Sequence, residues 1–465
     1  MNVYAVVLAA GKGTRMKSQK PKVVHEVLYK PMINHIVDEL KAVGVDETIV
    51  VVGHEASQVE AIVDDVTFVR QEKQLGTGHA VLQARDILKD KEGITLVLNG
   101  DAPLIRKETL LSFIEYHKAH QNQATVMTAD CDTSTHFGRI IKENDQVVGI
   151  VEFKDLQDCQ RDITEMNTGE FCFDNQALFD ALALVNNENA QNEYYLTDVI
   201  GIMNDKGLKV DAYKIDDFNE VGGINDRVAL AEATELLRDR INRQHLLNGV
   251  NIIDPKNTYI GTDVVIGQDT TIEPGCILKG KTVIGNNCHI GPYCEFTNVE
   301  VKDNVEIKFS VLSDSIIESG VDIGPYARLR TNCHIMENAH LGNFVEMKKA
   351  VFGKGSKASH LTYVGDAHVG SDVNLGCGTI TVNYDGKNKS LTKIEDNAFI
   401  GCNSNLVAPV TIKKNAFIAA GSTITKDVEA DAMSIARARQ VNKEGYSKVL
   451  EKQRLEEFER RNKEK

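Results

Sequence analysis

From Ile260 onward the chain places a large apolar residue at every sixth position. Ile260, Ile266, Ile272, Leu278, Ile284, Ile290 and Phe296 share one register, and Gly261, Gly267, Gly285 and Gly291 each directly follow a marked residue. The register slips and resumes through Val311, Ile317, Ile323, Leu329, Ile335 and Leu341. It returns at Tyr363, Val369 and Leu375, and again from Ile394 through Ile400, Leu406, Ile412 and Ile418 to Ile424. A helix cannot show a six-residue apolar period on one face, and a half-buried strand alternates with a period of two. A parallel β-helix satisfies the pattern: each hexapeptide gives one short strand, its aliphatic residue points inward onto the equivalent residue of the next coil, and glycine eases the corner. With three hexapeptides per triangular coil, residues 260 to 424 predict roughly nine coils stacked at the strand spacing of ~4.8 Å.

Two segments interrupt the repeat with polar and basic residues, GNFVEMKKAVFGKGSKASHLT (342 to 362) and NYDGKNKS (383 to 390). Both are expected as loops leaving the coil, where a rigid solenoid commonly carries its chemistry. The charged tail from 440 to 465 predicts a terminal helix, positioned to cap the open end of the stack.

The first half has a different texture. Short β-rich runs (VYAVVL, ETIVVVG, TLVLNGD, ATVMTAD) alternate with amphipathic stretches such as Met32 to Val43 and Lys107 to His120, the signature of crossover units on a largely parallel sheet. Near Asn225 this gives way to DRVALAEATELLRDRINRQHLL, a connecting helix that Asn248 and Gly249 stop. The expected organisation is 1–225, a nucleotide-handling α/β domain; 226–249, a linker helix; and 250–465, the β-helix domain with its C-terminal helix. At 465 residues the chain is long enough for two or three separate cores.

A net charge of −14 excludes a general nucleic-acid binder, so anionic ligands must meet local basic clusters. No apolar run approaches the ~20 residues needed for a membrane span, and no secretory signal is expected at the start. Nine cysteines, scattered singly with no CXXC pair, fit a reduced, cytoplasmic setting better than a disulfide framework or a zinc site.

LAAGKGTRMKSQKPKVV, residues 8 to 24, follows the first apolar run with two glycines and a cluster of basic side chains. It is neither a Walker loop, since Thr14 and Arg15 follow Gly13, nor a dinucleotide fingerprint, since Met16 holds the place of the third glycine. Its backbone N–H groups can still hold phosphate oxygens, with the dipole of a following helix in support. Arg15 and Lys22 stand where a polyphosphate would bring its charge. In LVLNGDAPL an apolar strand ends at Gly100 and Asp101, placing a carboxylate at the carboxyl edge of the sheet. An acid facing a basic phosphate loop is a way to hold Mg²⁺ against a nucleoside triphosphate.

GKGTRMKSQKPK, QLGTGHA (74 to 80), NGD (99 to 101), FGRI (137 to 140), IVEFKD (150 to 155) and EMNTGE (165 to 170) together resemble the sugar-nucleotide pyrophosphorylases. With the hexapeptide repeat, HLTYVGD and NYDGKNK, essentially the whole chain resembles the bifunctional N-acetylglucosamine-1-phosphate uridylyltransferase/glucosamine-1-phosphate N-acetyltransferases of bacterial cell-wall precursor synthesis. The resemblance implies a Rossmann-like nucleotidyltransferase domain with a mostly parallel sheet, followed by a left-handed parallel β-helix. It implies that the loop holds UTP, with Arg15 and Lys22 as catalytic cations, and that Leu8, Ala9, Ala10, Gly11, Gln71, Gly76 and Thr77 surround the nucleotide. Asn99 joins that contact, although some relatives have Tyr there. Gly138, Glu152 and Asn167 would read the sugar, and Asp101 and Asn225 would bind Mg²⁺.

In the second half the resemblance implies that His360, within KASHLTYVGD, is the base for acetyl transfer. Arg330 and Lys348, expected in polar breaks of the coil, would meet glucosamine 1-phosphate together with Tyr363 and Asn374. Asn383, Tyr384, Cys402, Ala420 and Arg437 would flank acetyl-CoA. Two departures stand out: Arg330 precedes Thr331 and Asn332 where Pro-Gly is expected, and Cys402 replaces the usual Ser. The family also implies a homotrimer. Two other readings compete, a pyrophosphorylase for another sugar whose β-helix only regulates, and a non-enzymatic scaffold. The histidine-bearing loops oppose the first, and retention of Arg15, Lys22, Asp101 and His360 opposes the second.

Overall fold

The computed structural model describes residues 1–464, which divide into two units. One comprises Met1–Leu247 with Pro255–Val264, the other Asn248–Asp254 with the chain from Val265 onward.

The first unit is built on a sheet whose strand order is Val210–Ile215, Ala124–Asp130, Glu165–Asp174, Ile94–Asn99, Val3–Ala9, Glu47–Val52 and Thr67–Arg70. All run parallel except Glu165–Asp174, which is antiparallel to both neighbours. The central strands are apolar at nearly every position because both faces are covered, as parallel sheets require. Ala5 and Val7 face one core with Ile36 and Phe113, whereas Tyr4 and Val6 face the other with Val81 and Phe173. The helices Met32–Val43 and Lys107–His120 have the bounds read from periodicity, and a long helix covers Arg227–Leu247. The hairpin Arg139–Glu143/Gln146–Val151 hangs from the antiparallel strand.

In the second unit short parallel strands wind into a prism with an apolar column along each face. One column runs Ile272, Ile290, Ile307, Ile323, Leu341, Ala358, Leu375, Ile400 and Ile418. A second runs Ile284, Val301, Ile317, Ile335, Phe352, Val369, Ile394 and Ile412. The third runs Leu278, Phe296, Leu312, Leu329, Met347, Val364, Thr381, Leu406 and Ile424. All these side chains are buried, and each Val, Leu, Ile, Met or Phe contributes about 1.5–3 kcal/mol by leaving water. Thr381 satisfies its own hydroxyl inside the column, donating to Gly365 O at 3.0 Å and accepting from Gly365 N–H at 2.8 Å.

The period of six holds only where a coil has 18 residues, as from Ile272 to Ile290. Middle coils are shorter: Ile290 pairs with Ile307, 17 residues on, and Ile307 with Ile323, 16 on. The lost residues come from corners, so the repeat slips while the inward faces stay aligned. Two positions read as inward are therefore corrected. Val311 is 42% exposed and its neighbour Leu312 points inward, and Val364 rather than Tyr363 fills the column.

The segment from 342 to 362 is likewise not a loop. His340–Phe352 and Lys357–Val369 are long paired strands that turn the prism's corners without leaving it. His360 and Lys348 thus belong to strands rather than to an excursion or a break. Only residues 383 to 390 leave the coil, closed at the base by a Tyr384–Lys389 bridge. The terminal helix, Tyr446–Lys463, buries none of its residues and so does not cap the stack.

Candidate active sites

In the first unit the strand Val3–Ala9 delivers residues 8 to 11 to the carboxyl edge of the sheet. There they line a cavity of about 340 Å³ with Lys22, Gln71, Gly76, Thr77, Asn99 and Asp101. The loop is followed by a single 3₁₀ turn, Thr14–Met16, not by an α-helix, so the expected helix dipole is absent and backbone N–H groups and side-chain cations remain. Gly13 has φ 61°, and a Cβ there would lie 2.6 Å from Lys22 Cβ, so the glycine lets the lysine stem cross the loop. Lys22 Nζ bonds Asp101 Oδ2 and lies 3.0 Å from Asn225 Oδ1, which also accepts from Arg15 Nη2 at 2.8 Å.

Asp101 and Asn225 thus direct hard oxygen atoms at one point, filled here by an ammonium. That donor set suits a divalent cation that takes its remaining ligands from substrate phosphates and water. Among the described residues no cluster of three or more His, Cys, Asp or Glu could form a metal cage on its own.

Leu8, Thr77 and Asn99 also line an adjoining cavity of about 190 Å³ with Gly138, Glu152 and Asn167. Asn167 N–H donates to Gly138 O at 3.0 Å, joining the two sides of this pocket. Glu152 accepts from the Thr197 hydroxyl at 3.1 Å. Burial raises the Glu152 pKa above its ordinary range, and the nearby Asp198, Asp155 and Glu193 carboxylates add to the rise. A carboxyl group in such a pocket can accept from hydroxyl and amide N–H groups of a ligand.

In the second unit the candidate positions follow the prism. His360 pairs in register with Asn343, and its Nδ1 lies 3.0 Å from Asn343 Oδ1. An amide oxygen only accepts, so Nδ1 is the donor, and in the neutral ring the lone pair lies on Nε2. Along the same edge, two residues beyond each inward aliphatic, come Cys377, Cys402 and Ala420. Backbone bonds from Asn403 N–H to Cys377 O (2.7 Å) and from Gly421 N–H to Cys402 O (2.8 Å) join the coils there. The next position on this edge is bulky on one side of His360 and small on the other. Tyr293, Phe309, Tyr326 and Phe344 form a row with 5.6–5.9 Å between centroids, stacked at both ends and tilted at Phe309–Tyr326, whereas beyond Leu361 the positions are Gly378, Asn403 and Gly421. The edge therefore opens at His360. Arg437 lies near Gly421, with its Cδ 3.6 Å from where a Cβ would stand.

On the neighbouring face Arg330 and Lys348 occupy equivalent places in successive coils, and Arg330 also pairs with Glu346 at 3.0 Å. The Lys389 ammonium, then the Arg330 guanidinium, hold Lys348 below the ordinary lysine range. Three cations so crowded can attract an anionic group such as a phosphate. Tyr363 pairs with Glu346 on this face. Asn374 lies on the adjoining face, paired with Lys357 and Phe399, whereas Asn383 and Tyr384 begin the excluded loop, with Asn383 donating to Asp366 at 2.5 Å.

Three family models match this chain: the MobA-like NTP transferase domain over residues 5–191, the GMPPB C-terminal domain over 259–384 and the bacterial transferase hexapeptide (six repeats) over 391–426. Proteins named Bifunctional protein GlmU match nearly end to end. That of Geobacillus sp. (strain WCH70) is 55% identical over 95% of this chain and 97% of its own length. That of Halalkalibacterium halodurans is 53% identical over 96% and 98%. The chain belongs to the GlmU family. As a GlmU-family protein it is a bifunctional transferase, with a nucleotidyltransferase in its first half and a hexapeptide acyltransferase in its second. A solved UDP-glucose pyrophosphorylase complexed with UDP-glucose also aligns, with 20% identity over 52% of this chain and all of its own, at a TM-score of 0.43.

Several lining residues of this GlmU-family chain escaped the sequence reading. Gln74, which donates to Ala10 O at 2.5 Å, and Glu193 both line the cavity of about 340 Å³. Gln74 lies inside QLGTGHA and could have been chosen. Glu193 sits in an irregular segment with no periodic signal, and Asn343 becomes visible only once the coil length pairs it with His360. Among the described residues no helix is long and apolar enough to cross a membrane, and the cysteines are free thiols.

Proposed function

We propose that the chain acetylates glucosamine 1-phosphate with acetyl-CoA and then transfers uridylyl from UTP to N-acetylglucosamine 1-phosphate, releasing pyrophosphate. Residues 1–225 form the uridylyltransferase, 226–249 the linker helix and 250–465 the acetyltransferase. The observation that carries the nucleotidyl half is the convergence of Lys22, Asp101 and Asn225 at a cavity lined by the glycine loop.

In uridylyl transfer the sugar phosphate is already an anion and needs no activated side chain. Leu8 to Gly11, Gln71, Gly76, Thr77 and Asn99 hold the nucleotide. Gly138, Glu152 and Asn167 hold the sugar so that a phosphate oxygen faces the α-phosphorus. Lys22 and Arg15 offset charge that develops there and on departing pyrophosphate, the dominant contribution in such transfers. Mg²⁺ held by Asp101 and Asn225 would supply further charge neutralisation on the phosphates.

In acetyl transfer Arg330 and Lys348 hold the acceptor's phosphate, with Tyr363 and Asn374 completing its contacts. His360 Nε2 takes the proton from the attacking amine while Asn343 fixes the tautomer, and as the amide C–N bond forms the acyl C–S bond breaks and CoA leaves as its thiol. Asn383, Tyr384, Cys402, Ala420 and Arg437 flank acetyl-CoA along the edge that opens beyond Leu361. The stacked aromatics on the other part of that edge support a homotrimer in which this surface is covered by another copy. The free thiols support a cytoplasmic setting.

The test is incubation with glucosamine 1-phosphate, acetyl-CoA, UTP and Mg²⁺, with products followed by mass spectrometry. UDP-N-acetylglucosamine is expected, and N-acetylglucosamine 1-phosphate should accumulate when UTP is omitted. Uridylylation of supplied N-acetylglucosamine 1-phosphate without any acetylation would overturn the role of His360.

A further inference from the structure

Glu170 is fully buried, yet it belongs to no ion pair with a cation among the described residues. It lies in the strand Glu165–Asp174, where the register with Ala124–Asp130 shifts between Asn167 and Phe171. Its Oε1 accepts from Asn99 Nδ2 at 3.3 Å, and its Oε2 has no hydrogen-bond partner. A buried carboxylate so placed is costly, and burial pushes Glu170 up to about 8, with the Asp101 charge adding to the rise. A side chain this expensive to bury needs a use.

The Thr168 side chain also acts on this carboxyl, and Asn99, from which its Oε1 accepts, lines both the nucleotide cavity and the sugar pocket. The fit between strands is close: Gly169 has φ 91°, and a Cβ there would stand 2.3 Å from Asn99 Nδ2 but 3.8 Å from Asn99 Oδ1. The amide nitrogen is therefore tucked against residues 169 and 170, and the amide oxygen is the end farther from them. We infer that Glu170 is a positioning residue for Asn99: by accepting from Nδ2 it keeps the amide oxygen free to accept from a hydroxyl or amide N–H of the substrate bound across the two pockets. Leucine or threonine at 170 would leave the Asn99 amide free to rotate and present its nitrogen instead.

The inference rests on the uridylyltransferase reading, and steady-state kinetics with UTP and N-acetylglucosamine 1-phosphate separates the two. Glu170→Gln retains an acceptor and is expected to keep both KM values within about twofold. Glu170→Leu is expected to raise KM for at least one substrate roughly fivefold, the worth of one neutral hydrogen bond, with kcat nearly unchanged. Asn99→Ala combined with Glu170→Leu should be no worse than Asn99→Ala alone. Glu170→Thr, too short to reach Asn99 but suited to a strand, replaces the leucine variant if that one does not fold. Unchanged KM in the folded variant, or additive effects in the double variant, would overturn the positioning role while leaving the activity in place. Absence of uridylylation in the unaltered protein would overturn both.

Discussion

Replacing Lys22 by Met separates two duties that one ammonium performs. Its Nζ occupies the point where Asp101 Oδ2 and Asn225 Oδ1 converge, and each side chain of the Lys22–Asp101 pair keeps only 16% of its surface exposed. That is too buried for the weak, screened behaviour of an exposed pair, which is worth less than about 1 kcal/mol. A hydrogen bond to a charged group contributes about 1.5–3 kcal/mol, and a cation approaching Asp101 must displace at least one. Removing the ammonium therefore tightens binding of a bare divalent cation by about tenfold, taking the lower bound of about 1.5 kcal/mol. The same substitution deprives the phosphates of a preorganised charge, a loss of roughly 10²–10³ in kcat. Electron paramagnetic resonance titration with Mn²⁺ in the absence of nucleotide reads the first quantity and steady-state uridylylation the second. Mn²⁺ affinity that stays the same or weakens in Lys22→Met would refute a shared cation position.

The two sites should also be separable: His360→Ala is expected to lower acetylation by about 10²–10⁴ and spare uridylylation, and Asp101→Ala to do the reverse, in assays of each half-reaction. Burial pushes His117 down to about 4, with its Nδ1 2.8 Å from Thr125 Oγ1. Because the folded pKa lies below the unfolded value, its contribution of about 3 kcal/mol is complete above pH 6.5 and is lost as pH falls to 4. Urea unfolding across that window should show a shallower pH slope in His117→Asn, and an unchanged slope would count against the assignment. In thermal unfolding Leu312→Ala should cost about 2–5 kcal/mol and Val311→Ala less than about 1 kcal/mol, whereas the opposite order would return the coil to the register of the bare repeat.

Much of the architecture could be read from periodicity, because buried columns impose the same residue type at a fixed spacing. What periodicity could not convey is corner length. Val311 and Tyr363 carry the right kind of side chain one place too early, and only pairing with the coils on either side shows that Leu312 and Val364 are the inward residues. The same blindness made residues 342 to 362 resemble a loop, since shortened coils and exposed polar corners break the repeat without breaking the strand. Motifs picked out residues that line the 340 Å³ cavity, several of them because they follow the ends of the strands Val3–Ala9, Thr67–Arg70 and Ile94–Asn99. Asn343 and Glu170 were not legible, since each acts through a partner distant in sequence, His360 and Asn99.

One coil differs from the others in a way that bears on how such a protein can change. Leu375 pairs with Ile400, 25 residues on, yet Ile400 pairs with Ile418 at the ordinary 18. The extra chain is absorbed between Val382 and Leu391, and the columns above and below remain in phase. Since doubling a flexible loop costs only about 0.6 kcal/mol, the length of 383 to 390 is nearly uncoupled from the stability of the stack. That segment can change in length with the inward residues untouched, a freedom that a globular core with shared packing on every side would not allow.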